Sequence, residues 1–97
     1  MTTYIALMHY TDKGMGQIRR SPERLDDGKK LLEEMGGSFK QFFMTIGGYD
    51  IVLIYDAPDD AVSARFTLLL GAQGYVRTTT LKAFPEEAYR ELIRSLG

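Results

Sequence analysis

Apolar residues recur along this chain with two periods, every second position in some stretches and every third or fourth in others. Thr3–Tyr10 (TYIALMHY) is rich in β-branched and aromatic residues and ends at the turn-prone Thr11-Asp12-Lys13-Gly14, so it reads as a first strand. Residues 14–18 read either as loop or as a short helical turn. Ser21-Pro22 then offers an N-cap and a proline at the first helical position, where a missing N–H costs nothing. From there to about Met35 the residues Leu25, Gly28, Leu31, Leu32 and Met35 share one helical face. Gly36-Gly37 predicts the stop, because glycine readily takes the left-handed conformation that closes a helix.

Phe39–Ile46 and Tyr49–Asp56 alternate as two strands, and Gly47-Gly48 between them suits a two-residue hairpin turn. That turn sets Ile46 against Tyr49, Met44 against Ile51 and Phe42 against Leu53, a continuous apolar face. The opposite face then carries Gln41, Phe43, Thr45, Asp50, Val52 and Ile54. Phe43, Val52 and Ile54 are too apolar for a solvated sheet surface, and too few elements remain in one chain to cover them. Something else must pack there.

Pro58-Asp59-Asp60 opens a second helix with acidic residues at its positive end. From Ala61 to Gly74 its only charge is Arg65, so it is predicted either to be deeply buried or to touch a neighbouring subunit. Tyr75–Phe84 is a fourth strand, and Pro85 begins a terminal amphipathic helix with Tyr89, Leu92, Ile93 and Leu96 on one face. The order β-α-β-β-α-β plus a C-terminal helix is the ferredoxin-like α+β arrangement, one domain spanning residues 1–97.

Composition narrows the choice of function mainly by exclusion. With 12 basic and 13 acidic residues there is no surplus positive charge to displace counterions from a nucleic acid. The absence of cysteine rules out disulfides and thiol chemistry, and a single histidine leaves no metal-ligand cluster. Neither a signal-peptide pattern nor a membrane-spanning run is present, so the expectation is a cytoplasmic protein that needs no cofactor.

The candidate chemistry is sparse. His9 is the sole imidazole available for proton transfer, although a histidine packed at a strand end is the plainer reading. Asp50 could hold a cation or a ligand amine, or simply accept hydrogen bonds from turn backbone while Tyr49 covers the core edge. Arg77 and Thr79 alternate onto one strand face, and an arginine has no place unpaired in a helix-packed core. Arg77 is therefore predicted to line the second face, paired with a ligand carboxylate or with an interface carboxylate.

Gly48-Tyr49-Asp50 resembles the tripeptide that names the GYD-domain family. The likeness extends through Tyr4-Ile5, Thr11-Asp12 with Gly14, Ser21-Pro22, Gly36-Gly37, Ala57-Pro58-Asp59-Asp60 and Arg77-Thr78-Thr79-Thr80-Leu81 to Ala83-Phe84. That family looks like part of the dimeric α/β-barrel group and is similar to the ligand-sensing domain of leucine-responsive regulators. The resemblance implies a fold and a homodimer, or a higher oligomer, and implies no reaction. His9-Tyr10 stands where members often carry Asn-Trp, and Thr79 where an acidic residue often lies between threonines. The resulting expectation is a small molecule held between two paired sheets by His9, Tyr10, Phe43, Asp50, Arg77 and Thr79. A cofactor-free monooxygenase or isomerase using His9 or Tyr10, and a partner-binding module using the helix Ala61–Ala72, are the alternatives.

Overall fold

A computed structural model describes every residue from Met1 to Gly97. Its four strands, β1 (Thr2–Tyr10), β2 (Ser38–Met44), β3 (Ile51–Ala57) and β4 (Val76–Ala83), form one sheet in the order β2-β3-β1-β4. Every pairing is antiparallel. The helices are α1 (Asp12–Gly16), α2 (Ser21–Glu34), α3 (Asp60–Gln73) and α4 (Glu86–Arg94), with a 3₁₀ turn at Ile18–Arg20. This is the ferredoxin-like α+β order that the periodicity predicts.

The sheet sorts its side chains by strict alternation. Tyr4, Ala6 and Met8 of β1 and Ile51, Leu53, Tyr55 and Ala57 of β3 point toward the helices and are buried. They meet Leu32 from α2 and Phe66 from α3 in a single core. Tyr55 is the hub: its ring lies edge-on to Phe66 at 5.3 Å and stacks on Tyr4 at 5.4 Å. Its hydroxyl, buried with it, shares a 2.6 Å hydrogen bond with Ser63 Oγ, so no polar cost is left behind. Gly36, at φ +90°, takes the left-handed conformation just beyond α2, as the Gly36-Gly37 pair predicts.

The structure departs from the local expectations at Ser21 and at the hairpin turn, adds an irregularity in β2, and excludes one of the two alternatives for α3. Ser21 is not an N-cap: the 3₁₀ turn runs straight into α2, so Ser21 already has helical dihedrals (φ −56°, ψ −39°) and caps nothing. The hairpin keeps the predicted register, Phe42 with Leu53 and Met44 with Ile51, but its turn is wider than Gly47-Gly48. Thr45 N–H donates to the Asp50 carbonyl at 2.8 Å and the Thr45 hydroxyl to the Tyr49 carbonyl at 2.6 Å. Residues 46–49 thus form the loop, Ile46 is 97% exposed, and its predicted pairing with Tyr49 is not made. Third, the register shifts between Phe39 and Gln41. The extra residue, Lys40, lets Phe39 and Phe42, three positions apart, both face the helices. Phe39 then reaches Phe66, edge-on at 6.0 Å. Finally, of the two alternatives for α3, deep burial is excluded and contact with a neighbouring subunit is left. Only Ser63 and Phe66 are buried, while Leu68 is 71% exposed.

Candidate functional site

The uncovered face of the sheet brings together most of the residues singled out above. Cross-strand pairing sets Ile5 beside Ile54 and Leu81, Leu7 beside Val52 and Thr79, His9 beside Arg77, and Val52 beside Phe43. Ile5, Leu7, Val52 and Ile54 are half-buried by their neighbours alone; Phe43 and Leu81 are exposed. Polar groups frame this apolar centre. At one end lie His9, Arg77 and Thr79; at the other, Thr3 donates its hydroxyl to Asp56 at 2.9 Å and Lys40 approaches Asp56 at 3.5 Å. Arg77 forms no ion pair within the chain.

His9, Phe43, Arg77 and Thr79 therefore share one surface. Tyr10 does not. Adjacent strand residues point to opposite faces, so Tyr10 turns toward α2 and lines a pocket on the helix side. Asp50 has a structural occupation: its Oδ2 accepts the Tyr10 backbone N–H at 2.9 Å, and its own N–H donates to the Met8 carbonyl at 2.9 Å. Those two bonds extend the β1–β3 ladder past its last regular pair, where strand backbone would otherwise be left bare. Tyr49 lays its ring on His9 with centroids 4.8 Å apart. His9 Nδ1 is 4.0 Å from Asp50 Oδ2, beyond hydrogen-bond range, so no imidazole–carboxylate dyad is assembled. No three His, Asp or Glu side chains converge on a point where a metal ion could sit.

The strongest electrostatic perturbation lies at the start of α3. Tyr4 donates its hydroxyl to Asp60 Oδ1 at 2.6 Å, and Lys82 Nζ reaches Asp60 Oδ2 at 3.1 Å. Burial, reinforced by the bond to Asp60, pushes the Tyr4 phenol up to about 12. The Tyr4 hydrogen bond, then Lys82, holds the Asp60 carboxyl below its ordinary value. Burial likewise raises the Tyr55 phenol. These groups tie α3 to the sheet, and none of them opens onto the uncovered face.

Fold and surface together define a ferredoxin-like α+β domain whose free sheet face is apolar at the centre and polar at both ends. The chain belongs to the GYD domain family, whose pattern matches residues 4–93. It is also similar to a protein of Thermus thermophilus named "Glutamine synthetase and cystathionine beta-lyase binding protein". The two are 36% identical over 86 residues, 88% of this chain and 90% of that protein. The family tripeptide acquires a physical meaning here: Asp50 secures the end of β1, and Tyr49 covers His9.

Sequence reasoning overlooked the helix-side pocket. Its best signal was Gly28, a residue with no side chain on the packed face of α2.

Proposed function

We propose that this protein is a non-catalytic homodimeric module that binds other proteins, pairing with its own copy through the free sheet face. The observation that carries the reading is that face itself, with Ile5, Leu7, Phe43, Val52, Ile54 and Leu81 uncovered and polar groups at its rim. An apolar centre inside a polar rim is the usual anatomy of a protein interface. Two further unpartnered surfaces suit other proteins: Leu68 and Leu69 on α3, and the stripe of Tyr89, Leu92, Ile93 and Leu96 along the terminal helix. The name of the Thermus relative supports partners of the metabolic-enzyme kind.

Sedimentation equilibrium tests the first half. Wild type is expected as a dimer and Ile54→Lys as a folded monomer, since Ile54 lies outside the core. A monomeric wild type would overturn the pairing. For the second half, purified glutamine synthetase and cystathionine beta-lyase are immobilised and the chain is passed over them. Binding to at least one, lost in a Leu68→Glu/Leu69→Glu variant that remains dimeric, is the expected result. Binding to neither enzyme would refute it, and binding indifferent to that variant would exclude Leu68 and Leu69 as the contact.

One observation favours an additional small-molecule role. Arg77 is free of any ion pair and lies near His9 and Thr79, which supports a reading in which it holds a carboxylate between two paired sheets. Native mass spectrometry of the dimer should then show a bound acid that Arg77→Leu releases without dissociating the subunits. An Arg77→Leu dimer that keeps the acid would sink this role.

A further inference from the structure

The charged residues of this chain are sorted between the two ends of its strands. β4 runs antiparallel to β1, from Val76 beside Tyr10 to Ala83 beside Thr3. The segments after β1, between β2 and β3 and before β4 therefore share the Tyr10 end, and α4 leaves from the Thr3 end. At the Tyr10 end, residues 11–24, 44–50 and 73–77 carry five basic and three acidic side chains. At the Thr3 end, residues 33–40, 56–60 and 82–97 carry four basic and eight acidic ones. A chain of net charge −1 is thus positive at one end and negative at the other.

Both ends also expose apolar side chains. At the Tyr10 end Met15, Met44 and Ile46 are exposed. At the Thr3 end no residue of α4 is buried, and Tyr89, Leu92 and Ile93 are about half exposed. A nine-residue helix is marginal in water by itself, so its apolar stripe needs a surface to lie on. The exposed loops of its own chain are out of reach. They lie beyond the nine residues of β1, about 30 Å of extended chain, and α4 is only about 14 Å long. The long dimension of the molecule, 53 Å, reflects how far apart its ends are held. An anionic membrane is a poor match for α4, whose polar side holds three glutamates and two arginines.

We propose that the terminal helix of each copy lies on the basic loop end of the other, in a dimer whose facing sheets run antiparallel. The inference rests on the sheet-face pairing proposed above. A twofold axis perpendicular to the strands sets each positive end against the partner's negative end, whereas an axis parallel to them sets like ends together. The perpendicular axis also brings the loops of one copy beside the root of the other's α4, so the exchange is reciprocal and closed. The apolar stripe of α4 is then covered by Met15, Met44 and Ile46 of the second copy, and its glutamates come near Arg19 and Arg20 of that copy. Leu68 and Leu69 on α3 stay open for other proteins.

The chain has no cysteine, so single cysteines carry spin labels cleanly. Double electron–electron resonance is measured on dimers of Gln17→Cys chains and on dimers mixed from Gln17→Cys and Ser95→Cys chains, both positions being exposed. The Ser95–Gln17 distance between copies is expected below about 25 Å, twice the breadth of a helix. The Gln17–Gln17 distance is expected above about 30 Å, the length of a strand. In sedimentation equilibrium, Leu92→Glu/Ile93→Glu and Arg19→Glu/Arg20→Glu should each raise the dimer dissociation constant at least about tenfold. Neither variant touches the core. A wild-type dimer with a long Ser95–Gln17 distance, a short Gln17–Gln17 distance or an unchanged dissociation constant in either variant overturns the exchange and leaves the sheet pairing standing. A monomeric wild type overturns both.

Discussion

A methyl group added at Gly28 would meet only the Phe39 ring, at 3.6 Å, an ordinary contact, and the residue sits within α2. Gly28→Ala is therefore expected to stabilise the fold by about 0.5–1 kcal/mol, the difference in helix propensity. The same methyl at Gly14 would lie 2.1 Å from the Tyr75 carbonyl oxygen, so α1 must move or the Thr11–Tyr75 backbone bond must break. Gly14→Ala should cost about 1–3 kcal/mol. Chemical denaturation of the two variants reads opposite signs from chemically identical changes. At Asp50, alanine strands the Tyr10 N–H and is expected to cost about 1–2 kcal/mol, while asparagine keeps an acceptor and recovers most of it. Equal losses for both variants would show that the negative charge, and not the hydrogen bond, matters. The residue types were legible in the chain; their partners, Tyr75 for Gly14 and Tyr10 for Asp50, were not, because each lies tens of positions away.

Among the elements, α3 is attached at its first turn. Asp59 caps it by accepting the Val62 N–H at 2.9 Å, and Asp60 gathers Tyr4 and Lys82. Tyr4 has a phenol raised from 10.0 to about 12, so above pH 10 the unfolded chain loses a proton that the folded chain keeps. Stability from this group is full below pH 10 and falls as pH rises toward about 12. Asp60 acts in the opposite sense: its contribution is present above its ordinary value of 3.8 and is lost as pH falls below it. A Tyr4→Phe variant should keep only the part of the alkaline limb that Tyr55 contributes and be less stable by about 1 kcal/mol at neutral pH. Denaturant melts at pH 8 and pH 11 check both statements. The β2–β3 register was readable because polarity sorts only one way across Phe42–Leu53 and Met44–Ile51. The shift at Lys40 was not, since it follows from Phe39 packing on Phe66, which belongs to a helix far along the chain.

For the molecule as a whole, the radius of gyration is 14.6 Å, against about 12.5 Å for a compact chain of this length. The excess fits α4, none of whose residues is buried, and the segment after it, where Leu96 is 79% exposed. A chain with this much uncovered apolar surface should gain stability by association, so its melting temperature is expected to rise by several degrees over a hundredfold increase in protein concentration. Ile54→Lys should abolish the dependence. Calorimetry at two concentrations decides it, and a concentration-independent wild type would argue against self-association.

Strand and helix order, the two faces of the β2–β3 hairpin and the charge-poor third helix follow from local periodicity, because alternation and helical spacing are properties of neighbouring residues. Packing alone decided the rest. That His9 and Tyr10, adjacent in the chain, serve opposite surfaces depended on which side of β1 the helices cover. That Arg24 is left with a buried, unpaired nitrogen depended on α2, α3 and Tyr75 meeting around it. Distances between residues remote in sequence create both conditions, and no local pattern of side chains encodes them.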